Sequence, residues 1–102
     1  MKATFEQTLN AAAILGNHAY ERDALFNELS RERGEAVEYR TFYGWCRTLK
    51  IPSGLPLYSA EQVLLLLTLV WARFRKRYKH LNRQSIKELS KNYANHRTYR
   101  AA

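Results

Sequence analysis

Apolar residues along this chain recur at the three-to-four spacing of helices. Near the start, Thr4 and Gln7 have capping-box spacing. Behind them Phe5, Leu9, Ala12 or Ala13, and Leu15 or Gly16 line one helical face, and Gly16-Asn17 is a helix stop. A second helix is expected from about Ala19 to Arg33, on the stripe Ala19, Leu25 or Phe26, and Leu29, with Gly34 as the residue that ends it. A third is expected from about Tyr39 to Leu49. There Phe42, Trp45, Cys46 and Leu49 stand at i, i+3, i+4 and i+7, which is one buried face. The opposite face carries Arg40, Tyr43, Arg47 and Lys50, with Thr41 and Gly44 between them.

The segment from Ile51 to Tyr58 cannot be helix. Pro52 and Pro56 each push the preceding residue into extended geometry, and Ser53-Gly54 supplies a turn, leaving room for a very small hairpin. Ser59 then caps a further helix, with Gln62 at the box position and Glu61 near the positive end of the dipole. Val63 to Val70 is apolar on every side, so it must be covered on every side. The apolar helix Val63–Trp71 is therefore an expected contact for a homodimer or another protein partner. Ile86, Leu89 and Tyr93 form a weak last stripe from a cap at Ser85 or Asn82, with fraying expected past Asn92. The pattern predicts an all-α fold of four to five helices: a winged helix-turn-helix with a minimal wing. Residues 1–80 would form that domain with an extra N-terminal helix, and residues 81–102 a basic C-terminal helix or tail.

Composition narrows the function classes. The longest uncharged apolar run, Val63 to Ala72, is broken only by Thr68, and a membrane-spanning helix needs about 20 apolar residues. No membrane role is expected. Cys46 is the only cysteine, which precludes an internal disulfide and fits a reducing compartment. No secretory apolar region follows Met1 to Thr4. The expected location is cytoplasmic and nucleoid-associated.

The formal net charge is +8, and its placement matters more than its size. From Trp71 onward there are ten Lys/Arg against the single acid Glu88, whereas the first 70 residues carry seven bases and eight acids. All the excess positive charge therefore lies in the last third. Such a block favours a polyanion, nucleic acid first and anionic membrane second. The alternative is a solvated basic tail with no specific partner.

Residues 41–62 resemble the MerR-like winged-helix group, which includes small excisionase-type regulators. That family's second helix typically reads Thr-Ile-Arg-Tyr-Tyr-Glu-Arg-x-Gly-Leu-Leu-Pro, followed by a wing ending in Tyr-Ser and acidic residues. Here Thr41-Phe42-Tyr43-Gly44-Trp45-Cys46-Arg47-Thr48-Leu49-Lys50-Ile51-Pro52 follows it without a gap, and Tyr58-Ser59-Ala60-Glu61-Gln62 matches the second half. The similarity extends back toward Leu25, where the first helix of a helix-turn-helix would begin. It implies double-stranded DNA binding by a small transcriptional or mobile-element regulator without an effector-sensing domain. The lone Cys46 does not supply the multi-cysteine site of the metal-sensing members.

The helix front has the inventory of a major-groove reader. Arg pairs with guanine, Thr meets a thymine methyl, and Tyr and Arg reach phosphates. Arg40, Thr41 and Tyr43 are expected at bases, and Tyr39, Arg47 and Lys50 at the backbone. Arg73, Arg75, Lys76 and Arg77 are expected to touch flanking phosphates; their alternative role is solubility. Trp45 and Trp71 read as core anchors, and Cys46 as a small buried hydrophobe. His18, His80 and His96 share no ligand spacing, and the glycines are scattered, so neither metal nor cofactor is expected. Glu35 and Glu38 have no His or Ser clustered near them, so no enzyme is expected. Two other functions stay open. One is an RNA-binding or ribonucleoprotein accessory role using Tyr78, Tyr93 and Tyr99, and the other is a protein–protein adaptor docking through residues 63–71.

Overall fold

The computed structural model describes residues 19–101, with side chains described as far as His96. The helix expected over residues 4–16 lies outside that range, as does His18. Among the described residues the fold is mostly helical, with one two-stranded sheet. Its order is β1 (Tyr20–Glu21), α1 (Arg22–Arg33), α2 (Tyr39–Leu49), β2 (Leu57–Tyr58), α3 (Ala60–Val70) and α4 (Arg83–Ala101). A π-helical turn, Trp71–Arg75, prolongs α3.

α3 is the centre. Its start is fixed by a reciprocal cap: the Gln62 amide N–H donates to Ser59 Oγ (3.2 Å), and the Ser59 N–H donates to Gln62 Oε1 (2.9 Å). From Val63 to Ala72 every residue is buried. The one hydroxyl in that run, on Thr68, donates to the Leu64 carbonyl at 2.7 Å and is satisfied inside the core. Leu25 and Leu29 of α1, Phe42, Trp45 and Leu49 of α2, Tyr58 of β2, and Ile86 and Tyr93 of α4 share its apolar cluster. Each leucine buried this way stabilises the fold by about 1.5–3 kcal/mol relative to exposure. The chain itself thus covers Val63–Trp71. The expected partner contact on that helix has no free surface to use, and an adaptor docking through residues 63–71 loses its docking face.

Three local expectations change. The helix predicted from Ala19 begins only at Arg22, because Tyr20 and Glu21 pair antiparallel with Tyr58 and Leu57. For the same reason the hairpin expected within residues 51–58 does not form. Pro52 and Pro56 lack amide hydrogens on either side of the Ser53-Gly54 turn. The strand after them finds its donors and acceptors ahead of α1 instead. Past Asn92 the chain does not fray: α4 runs to Ala101, and Tyr93 and Ala94 are buried. The C-terminal segment, expected as a basic helix or tail, forms α4 and places Ile86 and Tyr93 in the shared apolar cluster.

A buried acid ties these pieces together. Glu32, near the end of α1, accepts from the Tyr93 hydroxyl at Oε1 (2.8 Å). Its carbonyl accepts from Arg75 Nη2 (3.1 Å) and Nε (3.3 Å), and Oε2 lies 3.9 Å from Arg75 Nε. One residue of α1 therefore pins both the end of α3 and the middle of α4. Gly34 ends α1 at φ 88°, a left-handed conformation that suits glycine. Its N–H donates to Ser30 O (2.8 Å), and the Val37 N–H donates to Ser30 Oγ (3.1 Å), which sets the turn into α2. Among the described residues no helix is long and apolar enough to cross a membrane.

Candidate nucleic-acid interface

α2 divides along its length as its spacing requires. Phe42, Trp45, Cys46 and Leu49 are buried; Arg40, Tyr43, Gly44, Arg47 and Lys50 are exposed, and Thr41 is half-buried. Burial pushes the Cys46 thiol up to about 11, so it stays a neutral, inert part of the core at neutral pH. Below the helix, Tyr58 is fully buried and its hydroxyl donates to Ser53 O at 2.6 Å. Burial raises its pKa as well.

The front is aromatic at its start and basic toward its end. Tyr39 and Tyr43 are 42% and 47% exposed, and their rings meet edge-on at 5.8 Å. Phe26 of α1 supports Tyr39 from behind, with centroids 6.3 Å apart. A side chain added at Gly44 would meet nothing within 4 Å, so the middle of the face is open. Thr48 turns back to donate to the Gly44 carbonyl (3.1 Å). Lys50 ends the helix at φ 58°, a left-handed conformation that costs a non-glycine residue about 1–2 kcal/mol. Non-glycine residues in such conformations concentrate at functional sites.

Two cations of α1 are already engaged. Arg31 pairs with Glu28 (3.1 Å) and Arg33 with Glu35 (3.6 Å), and Arg33 also lies over the Phe74 ring (4.6 Å). Among the described residues, no ion pair holds Arg40, Arg47 or Lys50.

The cluster after α3 does not act as one group. Arg75, expected at phosphate, donates to the Glu32 carbonyl while its side chain stays half exposed, so it ties the end of α3 to α1. Lys76 sits over the Trp71 ring at 5.5 Å. Arg73 and Arg77 instead line an open groove of about 610 Å³ with Tyr78, Lys79, His80 and Leu81. Arg77 and His80 hold its turn in left-handed conformations (φ 58° and 59°). A second groove, about 370 Å³, lies between the end of α2 and the start of α4, lined by Thr48, Lys50, Asn82, Arg83, Gln84 and Lys87. Asn82 caps α4 through a 2.9 Å bond from the Ser85 N–H, and Arg83 donates to the Leu49 carbonyl, so the two helix ends are joined. Among the described residues, no carboxylate lines either groove. Lys50 belongs both to the α2 front and to the second groove, which makes one basic surface of the two.

Arg83 and Lys87 were not singled out by the sequence pattern. Their signal was the cap at Asn82, which starts a helix whose first turns are basic. Glu32 gave no signal, because its partners Tyr93 and Arg75 are remote in sequence. Compared with protein-family models, curated proteins and solved structures, the chain gives no match in any of the three.

Proposed function

We propose that the chain binds double-stranded DNA as a small winged helix-turn-helix regulator, with α2 as the recognition helix. In this reading α1, the Gly34–Glu38 turn and α2 form the helix-turn-helix. The Ile51–Tyr58 segment, held by β1, is the minimal wing. The observation that carries the proposal is the front of α2: Arg40, Arg47 and Lys50 stand in solvent, without ion pairs among the described residues, beside two exposed tyrosines. An 11-residue helix is about 16 Å long and fits a major groove about 12 Å wide. Arg40, Thr41 and Tyr43 would meet base edges; Tyr39, Arg47 and Lys50 would meet phosphates. Lys50, Arg73, Arg77 and the groove at Arg83 and Lys87 would follow the backbone to either side. The resemblance of residues 41–62 to the MerR-like group supports the same assignment, and a regulator of transcription or of a mobile element is the role it suggests.

The test is a panel of duplexes that differ in sequence, with binding measured for the wild type and two variants. Arg40→Ala is expected to change the order of preference among duplexes, as loss of a base contact does. Arg47→Ala is expected to weaken all of them alike. Identical behaviour of the two would remove the division between base and backbone roles. One observation favours a second reading: Tyr78 is 45% exposed beside Arg73 and Arg77, an arrangement suited to stacking unpaired bases. Preference for structured RNA over duplex DNA in direct competition would put that reading first.

A further inference from the structure

Arg22 opens α1, and in space it stands at the edge of the α2 front. Its guanidinium carbon lies 5.0 Å from the Tyr39 ring centroid, and Tyr39 in turn meets Tyr43 at 5.8 Å. Through Tyr39 the three side chains are joined in sequence, from the start of α1 to the start of α2.

That position does not serve the stability of α1. A cation in the first turn faces the positive end of the helix dipole and is disfavoured there. Among the described residues, no ion pair balances Arg22. The contact that holds it is the ring of Tyr39. A contact of this kind engages the guanidinium through the ring's electrons and does not consume its N–H donors. Those donors form a fork suited to the two oxygens of a phosphate. In helix-turn-helix docking the first helix crosses the nucleic-acid backbone while the second enters the groove.

We infer that Arg22 is a backbone-phosphate contact of the duplex interface, with its guanidinium aimed by the Tyr39 ring. This inference rests on the duplex-binding reading and adds to it a residue from outside α2. It also gives Tyr39 a second role, as the platform that orients Arg22.

The test uses the full chain and duplex DNA, with affinity measured from low to moderate salt for Arg22→Ala, Arg22→Gln and Arg22→Lys beside Arg40→Ala. Arg22→Ala is expected to weaken binding about 5- to 10-fold at low salt and to reduce the salt slope by about 0.9, the share of one neutralised phosphate. Arg22→Gln, which keeps the length without the charge, is expected to behave as Arg22→Ala does. Arg22→Lys is expected to restore the slope and part of the affinity. An unchanged slope in Arg22→Ala, while Arg40→Ala weakens binding, would overturn the inference and leave the duplex reading standing. Recovery by Arg22→Gln would also overturn it, because the side chain would then only be packing against Tyr39. Failure of the wild type to bind any duplex would end both.

Discussion

α2 and α3 are each 11 residues long, and the chain uses them in opposite ways. α3 gives every residue from Val63 onward to the interior. α2 gives one face to that interior and leaves the other in water with three cations and two tyrosines. The contrast extends to the charges around each helix. At the end of α3, Arg75 is held by Glu32 and Lys76 by the Trp71 ring. Along α2, Arg40, Arg47 and Lys50 have no such engagement. The lesson is that positive charge by itself does not mark an interface. A cation tied to a buried acid, as Arg75 is to Glu32, serves stability, and one with no such tie is available to a partner.

The contrast breaks most directly at the two helices themselves. Leu67→Ala in α3 is expected to cost about 3–5 kcal/mol in denaturant unfolding, since it opens a cavity where nothing can collapse from solvent. Arg47→Ala in α2 is expected to stay within about 0.5 kcal/mol of the wild type. Equal losses in the two would mean that the α2 front is part of the structural framework.

The buried Glu32 gives the next largest effect. Tyr93→Phe removes the hydroxyl that donates to Oε1 and is expected to cost about 1–3 kcal/mol. A neutral result would show that the carboxylate does not depend on α4. Lys50→Gly sharpens the comparison from the other side. Glycine suits the left-handed position, so thermal unfolding should show a gain of about 1 kcal/mol. Duplex affinity should fall at the same time, with a salt slope shallower by about 0.9. A gain in stability with unchanged binding would take Lys50 out of the interface.

The smallest effect is with pH. Cys46 and Tyr58 keep their protons in the fold more tightly than in the unfolded chain. The stability they contribute is complete below their ordinary values of 9.0 and 10.0. It declines as pH rises through about 11 for Cys46 and through the raised value of Tyr58. Between pH 6 and about 8 these two groups should leave the unfolding midpoint unchanged, and a thiol reagent should label Cys46 only in denaturant.

Much of this was legible in the residue pattern, and for physical reasons. The amphipathic spacing of Phe42, Trp45, Cys46 and Leu49 gave both the limits and the two faces of α2. Ser59 with Gln62, and Gly34, marked helix ends through local hydrogen bonds and local φ. The rest depended on partners far along the chain. A strand of two residues has no period to read, so the pairing of Tyr20 with Tyr58 left no trace. An apolar stretch like Val63–Val70 announces that it will be covered and does not say by what. Glu32 looks like any surface acid until Tyr93 and Arg75 are brought to it. Arg22 precedes Tyr39 by a helix and a turn, and only folding places it over that ring.

The measurement that goes straight to the α2 front is an amide-resolved NMR titration of the chain with duplex DNA. The amides of Tyr39 to Lys50 are expected to shift together, with Gly44 in their midst. Arg22 and the Asn82–Lys87 turn should follow, while Val63 to Val70 stay in place. Shifts confined to residues 73–81, or none at any accessible concentration, would contradict the assignment of α2 as the helix that meets the duplex.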